Sequence, residues 1–307
     1  MDAASVFVWG RAPGSAVPLS PPEATLAMIR VAYSAAAVLA RLLPRSAGYG
    51  LAHAAAAVFW SASPARRRAV RANLAQVAPE LPAAERERLA HRMFATFAES
   101  LVDAWRDAAP DGEGAVTIEG VERLHDAIAA GHGVLLWSAH LGNWELAAAA
   151  LARGGFEVSA LARAHANPGV EEFFDSRRRR AGVHVVARCP GAREARRVLR
   201  AHGLLALLGD RRFGALGRAV PFFGRPARLP AAPLALARRT GAALIPGFVV
   251  RTGPGKYRIQ LEPPVTARGH GALVALAATL ERYVRAHPEQ WFVFDPMRDE
   301  PRTGVRA

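Results

Sequence analysis

From residue 114 onward the chain alternates short apolar runs with stretches of helical period, and this alternation constrains the fold more than any other feature. Runs suited to strands fall at 116–119, 134–139, 157–161, 183–187, 204–209, 243–250 and 257–261. Helical patterns lie between them at 121–130, 144–153, 169–181, 193–201, 231–240 and 273–286. Strands that are apolar throughout and separated by helices belong in a sheet covered on both faces. The expected class is therefore α/β, with a central sheet flanked by helices.

A different texture precedes it. Residues 22–108 carry helical patterning and little strand signal. Two alanine-rich apolar segments, 24–43 and 49–61, come first, followed by the basic stretch ARRRAVRANL beginning at Ala65. Residues 83–107 then read as a long amphipathic helix, with Leu89, Met93, Phe97, Leu101 and Trp105 on one stripe. The expected organisation is a disordered Pro/Gly/Ser-rich leader (1–21), a membrane-associating helical region (22–108), an α/β core (109–300) and a short tail (301–307).

Segment 24–43 is long enough to cross ~30 Å of hydrocarbon as a helix. Arg30 and Arg41 interrupt it, and Arg30 sits well inside, where a guanidinium is costly. The expectation is a helix packed on the protein or lying at the membrane interface rather than spanning it. The opening residues do not read as a cleavable signal peptide.

Lysine and arginine number 40 against 26 acids, a formal net charge of +14 that favours anionic partners. Nucleic acid is excluded as the reading: aromatics are only 7%, and no stacking or base-reading element interleaves with the arginine runs. An anionic membrane surface or an acidic carrier protein remains. Polybasic residues beside apolar helices, here Arg66–Arg68, are attracted to anionic lipid at about 1 kcal/mol each. The single cysteine, Cys189, excludes an intramolecular disulfide and fits a reducing compartment. No cluster has metal-ligand spacing, so no metal or other cofactor is expected.

The chemistry concentrates in GVLLWSAHLGNWELAAAALAR. His140 follows a strand, where open α/β sheets place ligands, and Asn143 is an N-cap for the next helix. Glu145 falls in that helix's first turn, separated from His140 by four residues with the chain turning between them. A neutral imidazole can take the proton of a hydroxyl as its oxygen attacks an acyl carbonyl. A carboxylate on the other ring nitrogen would fix the tautomer, and the expected carboxylate is Glu145. Spacing alone leaves open a loop histidine beside an acid that complements the helix dipole.

The order of motifs resembles the bacterial lipid A late acyltransferases and the related mycobacterial glycolipid acyltransferases. HLGNWE has that family's His-x4-Asp/Glu form, and RRRAVRANLAQVAPELPAAERERLA is similar to its basic helix, asparagine (Asn73) and turn. LLALLGDRR and AVPFFGRPARLPAAPLALARRTGAALIP resemble its aspartate-bearing strand end, FFG loop and following helix, within a likeness covering roughly 22–296. The resemblance implies a glycerol-3-phosphate acyltransferase-like mixed sheet. It also implies direct acyl transfer from an acyl-thioester, on acyl carrier protein or coenzyme A, to a lipid hydroxyl, with His140 as base. Arg163 and Asp210 match a family arginine and acid, Arg163 to steady the thioester oxygen or a phosphate and Asp210 to orient Arg163 or a neighbouring arginine; Arg188 and Arg211 are further candidates for substrate contact. Arg212 stands where late lipid A enzymes often carry a second acid, which weakens a lipid A precursor as acceptor.

That acceptor leads the expectation, with phosphatidylinositol mannosides, other glycolipids and lysophospholipids as alternatives, and an esterase-type hydrolase behind them. The implied place is the cytoplasmic face of the inner membrane. No GxSxG elbow occurs, in keeping with a mechanism lacking an acyl-enzyme. Two features read as architecture: Val220–Gly224 as core packing rather than an acyl groove, and Arg177–Arg180 as a solvated helix end.

Overall fold

A computed structural model describes residues 23–106, 115–162, 167–187, 192–211 and 217–297, with the backbone alone over 23–30. The expected leader and tail lie outside these residues. Four helices come first: α1 (Glu23–Leu42), α2 (Arg45–Ala62), α3 (Pro64–Val77) and α4 (Ala83–Trp105). The α/β part follows as β1 (Val116–Glu119), α5 (Glu122–Ala129), β2 (Val134–Ser138), α6 (Trp144–Arg153), β3 (Val158–Ala162), α7 (Pro168–Arg180) and β4 (His184–Ala187). Then come α8 (Ala192–Arg200), β5 (Leu204–Leu208), β6 (Gly217–Phe222), β7 (Arg225–Pro230), α9 (Ala232–Thr240), β8 (Ala243–Gly253), β9 (Lys256–Leu261) and α10 (His270–Ala286).

Seven strands form one sheet in the order β1-β9-β8-β2-β5-β3-β4. Only β8 and β9 pair antiparallel within it, so the sheet is mixed, as expected. Alternate residues of β2 serve two cores: Leu135 and Trp137 pack with α8, α9 and α10, and Val134 and Leu136 with α5 and α6. That is why the first four residues of the strand, VLLW, are all apolar rather than alternating. Every strand and helix expected after residue 114 is present within a few residues.

The hairpin β6–β7 was not anticipated, since its proline- and arginine-rich strands lack an apolar alternation. Its tip carries Phe222 and Phe223, buried against Trp291, so this segment is core packing, as expected.

The N-terminal helices are built into the α/β part. Phe59, Leu74, Phe94 and Phe97 bury Phe292 and Phe294 of the C-terminal segment. Asn73 Nδ2 donates to the carbonyls of Val293 (3.1 Å) and Asp295 (2.9 Å), and its Oδ1 accepts from Met297 N–H (3.0 Å). Below them Asp103 accepts from the hydroxyls of Tyr49 (2.7 Å) and Tyr257 (2.6 Å), tying α2, α4 and β9 together.

No described helix is long and apolar enough to cross a membrane. The exposed large hydrophobic residues instead gather on two helices: Val31, Val38, Leu39 and Leu42 on α1, and Leu51 and Val58 on α2. Part of the basic stretch is structural. Arg67 reaches back to the carbonyls of Trp60 (2.5 Å) and Ser61 (2.9 Å), closing the C-terminal end of α2, while Arg68 is exposed.

Candidate active site

Parallel pairing of β2 with β5 places Ser138 opposite Leu208. Two residues further along each strand stand His140 and Asp210, at the carboxyl edge of the sheet. The register alone brings them side by side. His140 Nδ1 lies 2.7 Å from Asp210 Oδ1, and the backbone N–H of His140 donates to Asp210 Oδ2 at 3.0 Å. Trp291 Nε1–H donates to that same oxygen at 2.9 Å. Both partners are buried, His140 at 5% exposure and Asp210 at 7%.

The expected carboxylate was Glu145; the one on the imidazole is Asp210. Glu145 faces the other way, into a two-pronged ion pair with Arg178 of α7: Nε to Oε2 at 3.0 Å and Nη2 to Oε1 at 2.6 Å. Arg178 also holds Asp175 at 3.0 Å. Its side chain is only 9% exposed, which corrects the reading of Arg177–Arg180 as a wholly solvated helix end. Arg177 is likewise engaged, donating to the Ala104 carbonyl at 2.7 Å, whereas Arg179 and Arg180 are exposed.

Local sequence explains the placement. Asn143 caps α6, its Oδ1 accepting from Leu146 N–H at 3.2 Å, while its Nδ2 donates to the Ser100 carbonyl of α4 at 2.8 Å. Between the histidine and this cap the chain turns at Gly142, with φ 59°, where a Cβ would run into the Val249 carbonyl. Gly209, just before the aspartate, leaves room for the indole of Trp137, which a Cβ would overlap. Only glycine fits either position.

The C-terminal segment laces the site shut. Leu141 bridges Trp291, Phe292 N–H donates to the His140 carbonyl at 2.8 Å, and Gly142 N–H donates to the Gln290 carbonyl at 2.9 Å. Arg211 Nη2 donates to the Phe292 carbonyl at 2.7 Å, with Nη1 3.8 Å from Asp295. Trp144 sets its ring edge-on to the imidazole, centroids 5.2 Å apart. Arg163 and Arg188 lie outside the described residues.

Burial pulls the His140 pKa down, the nearby Arg211 guanidinium acts in the same direction, and Asp210 opposes both. Burial would raise Asp210, but the His140 ring, its hydrogen bonds and Arg211 outweigh it and hold the carboxyl at about 2. The resting pair is an ionised Asp210 beside a neutral imidazole. With Nδ1–H given to Asp210, the lone pair sits on Nε2, and that nitrogen is the one able to accept a proton.

Sequence reading missed Trp291 and Arg178. Asp210 was marked as a site residue, but its contact with His140 was not. The signal for that contact was present in the parallel pattern of the two runs, 134–139 and 204–209, each followed at once by a polar side chain. Among the described residues no group of three or more His, Cys, Asp and Glu is placed to hold a metal ion.

The family model described as bacterial lipid A biosynthesis acyltransferase matches residues 23–297 of this chain. Phosphatidylinositol mannoside acyltransferases from two strains of Mycobacterium tuberculosis are 30% identical over 186 residues, 58% of this chain and 58% of each relative. This chain thus spans less than two thirds of those proteins in the match. The phosphatidylinositol mannoside acyltransferase of Mycolicibacterium smegmatis is 28% identical over 276 residues, 86% of this chain and 89% of that protein.

Proposed function

The chain belongs to the bacterial lipid A biosynthesis acyltransferase family, and from that premise we propose that it moves a fatty acyl group from an acyl-thioester to a hydroxyl of a glycolipid. The buried His140–Asp210 pair carries the reading. The acceptor hydroxyl attacks the thioester carbonyl while His140 Nε2 takes its proton. Asp210 stabilises the imidazolium that forms. Collapse of the tetrahedral intermediate breaks the carbon–sulfur bond, and the imidazolium proton goes to the departing thiolate. No acyl-enzyme is needed, and no metal or other cofactor enters.

The acceptor we favour is a phosphatidylinositol mannoside-type glycolipid rather than a lipid A precursor. Supporting it are the names of the relatives and Arg212, which replaces the second acid of the Asp-x-Asp pattern. Acyl carrier protein and acyl-coenzyme A both remain in view as donors. Glu145 and Arg178 shape the wall beside the base, and Arg163, Arg188 and Arg211 are proposed to meet the polar parts of the substrates.

The working place is an anionic membrane surface, read as the cytoplasmic face of the inner membrane. Val31, Val38, Leu39, Leu42, Leu51 and Val58 present an apolar face on α1 and α2, with Arg41 and Arg68 exposed on α1 and α3. Leu39→Glu with Leu42→Glu and Val58→Glu is expected to abolish sedimentation with anionic vesicles while leaving the fold intact. Undiminished binding would remove this face from the proposal.

Purified protein given an acyl-thioester and a mannosylated phosphatidylinositol tests the reaction, with mass spectrometry of the lipid product. A species heavier by one acyl chain is expected, and His140→Ala should reduce its formation by about 10²–10⁴-fold, the contribution of a positioned base. Full activity in His140→Ala would overturn the assignment of the base. Release of free fatty acid without lipid product would replace transfer with hydrolysis.

A further inference from the structure

Helix α8 carries a ridge of guanidinium groups that the reaction above does not use. Arg193, Arg196, Arg197 and Arg200 recur at helical spacing along its nine residues. Together with Ala201 they wall a shallow open concavity. Arg193, Arg197 and Arg200 are exposed, while Ala195 and Leu199 on the opposite side bury into the core. The helix has one acid, Glu194; it bonds His184 at 2.8 Å and lies 3.9 Å from Arg197. Helix α9, which packs beside α8, ends in the exposed Arg238 and Arg239.

Resting on the reading of a thioester donor, we propose that this arginine ridge is the docking surface for an acidic acyl-carrying protein. The charge along α8 extends over about 13 Å, the length of a nine-residue helix, and so matches a row of carboxylates on a partner helix better than one phosphate group. A bilayer fits less well. The exposed large hydrophobic residues lie on α1 and α2, and none is on α8. The two surfaces also sit on opposite faces of the sheet. Helix α1 packs on α7, whose C-terminal end joins the α5–α6 core, whereas α8 belongs to the α9–α10 core. An enzyme resting on lipid through α1 and α2 can therefore meet a soluble partner through α8.

The geometry connects docking to chemistry. Helix α8 descends from the end of β4 to the start of β5, and both strands are parallel to β2 through the pairings with β3 and β5. Its N-terminal end, with Arg193, thus lies toward the carboxyl edge of the sheet that holds His140 and Asp210. A carrier lying along the ridge can present its prosthetic arm to that edge.

The test compares the full chain with a variant carrying Arg193→Glu, Arg197→Glu and Arg200→Glu, and with the corresponding triple Lys variant. Anisotropy of a fluorescently labelled bacterial acyl carrier protein at low salt gives affinity; initial rates with acyl-carrier and acyl-coenzyme A give KM and kcat. Charge reversal is expected to weaken carrier binding at least about tenfold, to raise KM for acyl-carrier alike, and to leave kcat and KM for acyl-coenzyme A unchanged. The Lys variant should bind nearly as the parent does, and added salt should weaken the parent far more than the Glu variant.

Unchanged carrier affinity in the Glu variant, or no carrier binding by the parent, overturns the proposal. An equal rise in KM for acyl-coenzyme A overturns it in favour of a phosphate-reading surface. Loss of anionic-vesicle binding with carrier affinity intact overturns it in favour of a bilayer. A parent that binds carrier through the ridge but transfers from neither thioester keeps the docking surface and rejects the thioester reading instead.

Discussion

Two carboxylate pairs, one buried and one partly buried, flank the loop from His140 to Glu145, and they are built by different rules. On the sheet side, Asp210 is fixed by strand register and saturated by three donors: the His140 ring, the His140 backbone N–H and the Trp291 indole. On the helix side, Glu145 is fixed by α6 and clamped by the fork of Arg178, contributed by the end of α7. One partner is an imidazole whose charge can change near neutral pH; the other is a guanidinium whose pKa is raised by Glu145 and Asp175 despite its burial. The first pair can therefore move a proton, and the second can only hold position. Nearness in sequence to a histidine does not make an acid its partner. The neighbouring strand decides.

The largest expected effect separates the two carboxylates directly. Asp210→Asn keeps an oxygen for Trp291 but can no longer stabilise an imidazolium, and it allows the wrong tautomer. Its kcat should fall by about 10³–10⁴-fold with KM little changed, as when a triad carboxylate is neutralised. Glu145→Gln retains hydrogen bonding to Arg178 and leaves the imidazole pair untouched. Its kcat should fall by less than about tenfold, within the range of misplaced rather than missing chemistry. If Glu145→Gln proved the more damaging of the two in steady-state transfer, the roles assigned here would be exchanged.

Stability should discriminate in the opposite direction. Arg178→Met strands Glu145 and Asp175 without their cation, and breaking one side of a buried pair costs about 3–5 kcal/mol. Asp175 is already pushed above the usual carboxylate range, chiefly by burial with Glu171 adding to it, so it gains nothing from losing Arg178. The double variant Arg178→Met, Glu145→Gln should recover part of that loss in urea unfolding. A single variant as stable as the parent would show that the pair contributes no net stability. His140→Ala, by contrast, removes the partner of an Asp210 that retains the His140 N–H and Trp291 as donors, and should destabilise less.

How legible this was in the sequence follows the same division. Periodicity and caps are local, so strands, helices and the Asn143 cap could be read from the residues around them. The position of His140 past a strand end was legible for that reason. What was not legible required tertiary register. Asp210 lies 70 positions from His140 and Trp291 a further 81 beyond Asp210. Arg178 sits in a run of four arginines that looks uniform, and only the rotation of α7 against α6 selects which one is buried. The β6–β7 hairpin escaped because Pro221, Pro226 and three arginines mask its strand pattern.

A smaller effect, that of pH, sharpens the contrast between a pair that titrates and one that does not. His140 has its folded pKa below the ordinary 6.5, so the unfolded chain binds its proton first and acid favours unfolding once pH drops below that value. Asp210 falls from 3.8 unfolded to about 2 folded, which contributes about 2 kcal/mol above pH 3.8 and loses it as pH falls toward 2. Both act in one direction, with the His140 window first. Catalysis follows the same group: the acid limb of kcat/KM should have its midpoint below 6.5, because the buried imidazole stays neutral in mildly acidic solution. Urea unfolding across the pH 4–7 range and the pH–rate profile of transfer measure the two halves separately. An acid limb at or above 6.5 would assign it to a group more exposed than His140, and a stability that does not decline below 6.5 would mean the ring is solvated when the enzyme is at rest. If Arg178→Met moved that limb as far as a substitution at Asp210 does, the helix-side pair would share in proton transfer and the division between the two regions would fail.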